Sequence, residues 1–279
     1  STHPFRDVKE ILWSFNRDKA IINQLGKISV FNVFEGENTE LKGGIKEAVW
    51  NSYGDGIIYH YRDKEKELSE IDISNIHGEN WKKIIDVEAE EIDLKLRPEN
   101  KEVLYYPLNP NQTEEGKGVF LVDLVTKEKE KIFNPKSNFS CQWSPQGNYL
   151  LTSFQEGEGI ELGYLNVASG RFYPLGFSTT AEKCVWGGEE KYLYCGLITG
   201  ASQKASLIDN WEKENFFSND TFWRIDIDKG KKKRLIDLKK EKNSVDAVNL
   251  LLSEDKKRLY FIDRKNGNLM SLKINIKEK

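Results

Sequence analysis

The feature that most constrains this chain is a short unit that recurs along its length. "ILWSFNRDKAII" begins at Ile11, "AVWNSYGDGIIYH" at Ala48, "LKLRPENKEVLYY" at Leu94, "CQWSPQGNYLLTS" at Cys141, "CVWGGEEKYLYC" at Cys184 and "NLLLSEDKKRLYF" at Asn249. Each reads as an apolar strand, a pivot residue, a polar turn and a second apolar strand. The pivots are Trp13, Trp50, Leu96, Trp143, Trp186 and Leu252. The turns carry the Gly, Pro, Asp, Asn and Ser that reverse a β chain.

A further strand follows each hairpin: "VFNV" ending at Val33, "EIDI" at Ile73, "LVDL" at Leu124, "YLNV" at Val167, "RIDI" at Ile227 and "SLKI" at Ile274. Period-two alternation places Asn32, Asp72, Asp123, Asn166, Asp226 and Lys273 on the face opposite the apolar residues. Polar turns such as "ASGR" and "DKGK" and a short fourth strand complete most units.

Successive pivots are separated by 37, 46, 47, 43 and 66 residues, against about 40–45 for a four-stranded propeller blade. A lone amphipathic four-stranded sheet cannot bury both faces, so stacked repeats are what create a continuous core. The expectation is an all-β chain: one β-propeller domain over residues 1–279, with six four-stranded blades near 5–45, 46–85, 86–135, 136–177, 178–237 and 238–279. The last unit stops at "LKINIKEK" without a fourth strand. Closure by a strand from the N-terminal "STHPFRDV" is expected, the alternative being a seventh blade that was trimmed away or is degenerate.

Composition narrows the function classes. Against 42 Lys+Arg stand 45 Asp+Glu, with the signs interspersed and a net charge of -3, so no basic face for a phosphate backbone is expected and nucleic acid is not a predicted partner. No run reaches the roughly 18 apolar residues of a membrane span. The chain begins with Ser, which leaves room for a removed N-terminal export signal or anchor. The 7 Trp, 11 Tyr and 14 Phe against 1 Met suit sheet layers better than an adaptable helical core.

The "WSPQGNYLL" of the fourth unit, with "YLNVASGR" after it, resembles the repeat of TolB-type propellers and of the propeller domains attached to prolyl oligopeptidase-like peptidases. In the fifth unit "KCVWGGEEKYLYC", "DNW" and "FSNDTFWRIDIDKG" resemble a family of propellers encoded by candidate-phylum bacteria and generally predicted to be exported. For the fold the likeness covers nearly the whole chain. It implies an extracellular or cell-envelope location and assigns no chemistry.

Two of the three cysteines flank the fifth turn. In the register of "WSPQGNYL", Trp186 faces Leu193, Cys184 faces Cys195 and Cys141 faces Thr152. Directly opposed residues have Cβ atoms about 4.5–5.5 Å apart, closer in non-hydrogen-bonded pairs. A Cys184–Cys195 cross-strand disulfide and three small buried hydrophobes both remain open, the export implied by the resemblance favouring the first. No Cys-x-x-Cys occurs, and His3, His60 and His77 are not at ligand spacing from the cysteines, so no metal site is expected.

Long insertions separate the second and third strands of two units, "PLNPNQTEEGKG" at 107–118 and "LITGASQKASLIDNWEKENFFSND" at 197–220, and such loops should rise on one face. The second carries Trp211, Phe216 and Phe217 beside Asp209, Asn210, Asn219 and Asp220. Asp209, Trp211, Phe216, Phe217, Asn219 and Asp220 are the candidate ligand-binding residues, since aromatic and carboxylate groups on a long loop suit a carbohydrate or peptide. The other reading folds the aromatic residues down as a satellite core. "SQKASLIDNWEKE" is compatible with a short helix inside the loop.

Familiar catalytic signatures are missing. There is no G-x-S-x-G, H-E-x-x-H, P-loop or dinucleotide fingerprint. "DIDKG" at 226–230 resembles a calcium loop, but Gly230 stands where an oxygen ligand belongs and residue 237 is Asp rather than Glu. No catalytic residue, cofactor or metal is therefore expected. The leading expectation is a non-catalytic, exported or cell-surface propeller that binds a protein, peptide or glycan on its insertion-bearing face. Two others stand beside it: a polysaccharide hydrolase or lyase with carboxylates at the axial channel, and a structural part of an envelope assembly.

Overall fold

The computed structural model of the chain describes residues 7–99, 101–109, 116, 118–199, 217–236 and 244–274. They form six antiparallel meanders, with a 3-10 turn at Ala181–Lys183 as the one helical element among them. These are the blades of a six-bladed β-propeller. The chain divides into two compact units, residues 1–134 and 135–279, each carrying three sheets.

In the first unit, one sheet is β1 (Val8–Trp13), β2 (Lys19–Gln24), β3 (Lys27–Asn32) and β4 (Glu37–Glu40). The next is β5 (Ile45–Trp50), β6 (Gly56–Asp63), β7 (Leu68–Asn75) and β8 (Lys82–Asp86), and the third is β9 (Ile92–Leu96), β10 (Glu102–Pro107), β11 (Val119–Asp123) and β12 (Lys129–Phe133). The second unit holds β13 (Ser140–Trp143), β14 (Tyr149–Glu156), β15 (Gly159–Asn166) and β16 (Arg171–Pro174). Its fifth sheet is β17 (Cys184–Trp186), β18 (Tyr192–Ile198), β19 (Asp220–Asp226) and β20 (Lys231–Arg234), and its sixth is β21 (Ala247–Leu252), β22 (Arg258–Asp263) and β23 (Asn268–Lys273). The sixth sheet has three strands among the described residues. A closing strand from residues 1–6 lies outside them.

Local chemistry explains the repeat. The serine after the pivot closes the first turn: Ser14 Oγ accepts the Lys19 N–H at 3.0 Å, and Ser144 and Ser253 accept those of Tyr149 and Arg258 at 2.9 Å. A second device opens the turn between third and fourth strands, where an Asn or Asp carbonyl oxygen accepts backbone N–H groups two or three residues on. Asn32, Asp123, Asn166 and Asp226 all do this. Asp72 does not, although alternation places it with them. Its hairpin is longer, β7 runs on to Asn75, and Asn75 Oδ1 caps the turn through the N–H groups of His77 and Glu79. Asp72 is left inside the strand with no solvent exposure.

Each core lies between neighbouring sheets of one unit. Ile21, Ile28, Val30, Ala48, Trp50, Ile57 and Tyr59 join the first two sheets, and Val49, Ile58, Ile71, Leu94, Val103 and Phe120 join the second and third. In the second unit Leu151, Leu162, Trp186, Leu193 and Ile225 fill one interface, and Tyr194, Phe222, Ala247, Leu259 and Phe261 the other. Adjacent residues such as Ile57 and Ile58 serve opposite faces of one strand, as period two requires.

The closest packing is at Gly163 on β15. A Cβ there would meet the Phe172 ring at 2.2 Å and the Tyr173 carbonyl oxygen at 2.7 Å. Gly163→Ala is expected to lower stability by about 1–3 kcal/mol, read as a shifted urea midpoint with unchanged far-UV circular dichroism.

Candidate functional site

The insertion at 197–220 is described at its two ends. Asp209, Trp211 and Phe216, with Asn210 and the helix-compatible segment, lie outside the described residues, as do residues 110–115 and 117 of the shorter insertion. Of the remaining candidates, Phe217 is 43% exposed and the Arg264 guanidinium lies over its ring, 5.2 Å from the centroid. Asn219 is exposed, and its Oδ1 accepts hydrogen bonds from Lys265 Nζ at 3.1 Å and from the Ser244 hydroxyl. Lys265 also donates to Ser244. Phe217, Asn219, Ser244, Arg264 and Lys265 thus form one array of an aromatic ring, two cations and two neutral polar groups.

Asp220 differs from the expectation. It is 3% exposed and faces inward, so it offers a ligand nothing and instead anchors the loop. Lys183, at the end of the 3-10 turn, brings its ammonium within 2.6 Å of Asp220 Oδ2 and 2.6 Å of Asp246 Oδ1, and within reach of Ser218 Oγ and the Ala247 carbonyl. Arg264 Nε donates to Asp246 Oδ2 at 3.0 Å, and the Ala247 N–H donates to Asp220 Oδ2 at 2.8 Å. Burial pushes the Asp220 carboxyl up, and the Lys183 ammonium is the chief force pulling it back. Two carboxylates and two cations leave the cluster electrically balanced, which is what allows charge so far from water.

Behind this cluster, Cys184 on β17 stands directly opposite Cys195 on β18 with Cα atoms 4.1 Å apart, and the structure bonds their sulfurs. Cys141 is buried opposite Thr152. The insertion therefore leaves β18, which the disulfide joins to β17, and returns at Asp220, the first residue of β19, which the buried ions hold.

The first unit carries a different group. Glu10 on β1 and Asp93 on β9 lie close enough to Glu47 on β5 to act on it. Burial, reinforced by the charges of Glu10 and Asp93, pushes Glu47 up to about 7, and Lys9 and Lys95 oppose this. Asp93 is held by Lys95 at 2.9 Å and by the Tyr106 hydroxyl at 2.9 Å. Register shifts just before Glu10 and just before Glu47 turn both side chains from the regular alternation. Glu10, Glu47 and Asn23 share the wall of a cavity of about 10 Å³ with Leu12, Ile21, Ile28 and Ala48, room for about one water. Among the described residues no group of three or more His, Cys, Asp or Glu side chains is placed to hold a metal ion.

Sequence reading missed Lys183, Ser218, Asp246, Arg264 and the carboxylate group, yet a signal existed. The residue three before each pivot is Glu10, Glu47, Asp93, Ser140, Lys183 or Asn249, a polar group at the same place in every repeat.

No family model and no curated protein matches the chain. Solved structures do. It is similar to an oligogalacturonate lyase in complex with manganese, at 12% identity and a TM-score of 0.65 over 97% of this chain and 78% of that one. TolB from Acinetobacter baumannii matches at 16% identity and a TM-score of 0.51, covering 95% and 68%. The β-propeller domain of the Trilobed protease from Pyrococcus furiosus matches at 12% and 0.63, covering 99% and 84%. At such identities the likeness carries the fold alone. No helix of the described residues is long and apolar enough to cross a membrane.

Removing one member of the buried cluster leaves the others uncompensated. Lys183→Met is expected to destabilise the protein by about 3–5 kcal/mol, measured by urea denaturation, whereas Lys265→Ala at the exposed end should change stability by less than about 1 kcal/mol.

Proposed function

We propose that the protein is a non-catalytic binding propeller that receives a peptide, protein or glycan on the insertion-bearing side of its second unit. The observation that carries this reading is Phe217, an aromatic ring kept 43% exposed at the foot of a long insertion and flanked by Arg264, Lys265, Asn219 and Ser244. An aromatic plane backed by a guanidinium and hydrogen-bonding groups suits a sugar ring or an extended peptide, and the buried ions beneath hold it in place before any ligand arrives. Trp211, Phe216 and Asp209, which lie outside the described residues, are proposed as further ligand contacts. Location outside the reducing cytosol is part of the proposal, and the Cys184–Cys195 bond suits it.

The test is a titration against immobilised glycan and peptide panels with the whole chain. Phe217→Ala and Lys265→Ala are each expected to weaken the selected ligand by about tenfold at unchanged melting temperature. A ligand bound equally well by both variants sinks the proposed surface.

Glu47 favours a second reading, a carbohydrate-active hydrolase or lyase. A carboxyl with a pKa of about 7 between two other carboxyls can hold and release a proton at neutral pH. Three carboxylates disfavour an anionic uronate substrate and with it elimination by a lyase, so hydrolysis of neutral polysaccharides is the reaction to assay. Loss of reducing-end release in Glu47→Gln would support catalysis, and its absence from both proteins would leave binding alone. The folded-state pKa of Glu47 lies above its ordinary value of 4.5, so ionising it costs stability as pH rises from about 4.5 to 7. Glu47→Gln is accordingly expected to be more stable than the parent at pH 8, by on the order of 1–2 kcal/mol, and indistinguishable from it at pH 4.

A further inference from the structure

Asp72, displaced from the capping position that its counterparts occupy, has no solvent exposure, and neither of its carboxylate oxygens has a hydrogen-bond partner. The Tyr59 hydroxyl, directly across the strand pair, is near enough to hold the carboxyl's pKa down but forms no well-aligned hydrogen bond to it. A buried carboxylate without donors is costly, so its surroundings call for an explanation. Above it three aromatic rings surround one point: the Lys42 ammonium lies 4.0 Å from the centroid of Tyr61, 4.7 Å from that of Trp81 and 5.5 Å from that of Tyr59. Three rings around an ammonium form an aromatic cage, and the buried carboxylate gives this one a negative floor. The cage's occupant is the protein's own side chain.

Lys42 is a removable occupant. It is exposed and its ammonium makes no hydrogen bond to Asp72. It is followed by Gly43, which has nothing within 4 Å of where a Cβ would stand, and by Gly44, fixed at φ +94°. The Gly44 carbonyl accepts the Arg62 N–H at 2.8 Å, and a Cβ on Gly44 would meet the Tyr61 ring at 2.6 Å. The chain is thus pinned at Gly44 and unencumbered at Gly43, one residue from Lys42. Trp81, the outer wall, is 53% exposed and opens the cage to solvent.

We propose that Tyr59, Tyr61, Trp81 and Asp72 form a binding site for an alkylammonium group bearing at least one N–H, and that Lys42 occupies it as an internal competitor. The unpartnered oxygens set the ligand class. A quaternary ammonium satisfies the rings but gives the carboxylate no donor, whereas an ammonium that keeps an N–H and is not tethered as Lys42 is can settle toward the floor and satisfy both. The ligand is therefore an amine on a small molecule or a lysine side chain, plain or partly methylated. This site lies in the first unit and does not depend on the surface proposed for the second.

Charge around the floor sets the pH response. Burial pushes Asp72 up to about 6, Glu70 adds to this, and Lys42, Lys83 and the Tyr59 hydroxyl oppose it. The cation needs the ionised carboxylate, so binding should strengthen as pH rises through about 6.

The experiment is an NMR titration of the whole chain at pH 8 with dimethylammonium chloride, with tetramethylammonium chloride as control. Lys42→Ala is expected to bind dimethylammonium about tenfold more tightly than the parent, with the methyl resonance shifted upfield by the rings. Trp81→Ala or Asp72→Asn added to Lys42→Ala should abolish that gain. The proposal is overturned if Lys42→Ala gains no affinity, if the gain survives loss of Trp81, or if tetramethylammonium binds equally well. Lys42→Gln, which retains most of the stem, repeats the comparison should the alanine variant melt early, and the same outcomes decide it.

Discussion

Burial of both faces of a short antiparallel sheet is the constraint on which the structure depends. Strands such as β6, with Ile57 and Ile58 both at 0% exposure, have no polar side to turn to water, so each sheet is stable only when covered on both faces. Every blade interface within a unit satisfies that need with side chains of two consecutive repeats. The turns then carry the specificity of register: a serine hydroxyl after the pivot in three repeats, and an Asn or Asp at or near the end of the third strand, fix where the next strand begins, and a slip of one residue would put the apolar set on the wrong face.

This is why the fold was legible and parts of the chemistry were not. Pivot, turn and alternation are local, so the six Trp or Leu positions and their hairpins align directly, and the register of Cys184 against Cys195 follows from the neighbouring repeat. Asp72 shows the limit of the same method. It shares its motif with Asp123 and Asp226, but a longer hairpin moves the cap to Asn75 and carries Asp72 into the interior. Only the pairing of Gly56 with Asn75 reveals the offset. Asp220 misled differently: a carboxylate at the end of a long loop reads as exposed, and its partners Lys183 and Ala247 lie 37 and 27 residues away along the chain.

Function in this architecture is written at positions that the fold leaves undecided. The place three residues before the pivot holds Glu10, Glu47, Asp93, Ser140, Lys183 and Asn249, polar side chains that are anionic, neutral or cationic. In the first unit that place gathers carboxylates and lifts the pKa of Glu47. In the second it supplies the ammonium that neutralises Asp220 and Asp246.

The buried cluster around Lys183 has a consequence for the loop above it. A neutral group of four charges gains little net stability over an apolar filling of equal volume, because desolvation consumes most of the attraction. What it supplies is a single geometry, since each ion has few positions in which its partners are all met. Ser218 and Asp220 are members of that cluster, and Phe217 and Asn219 alternate with them along the chain. Fixing the inward pair therefore fixes the outward pair, so the exposed ring and amide are oriented by ions that no ligand touches.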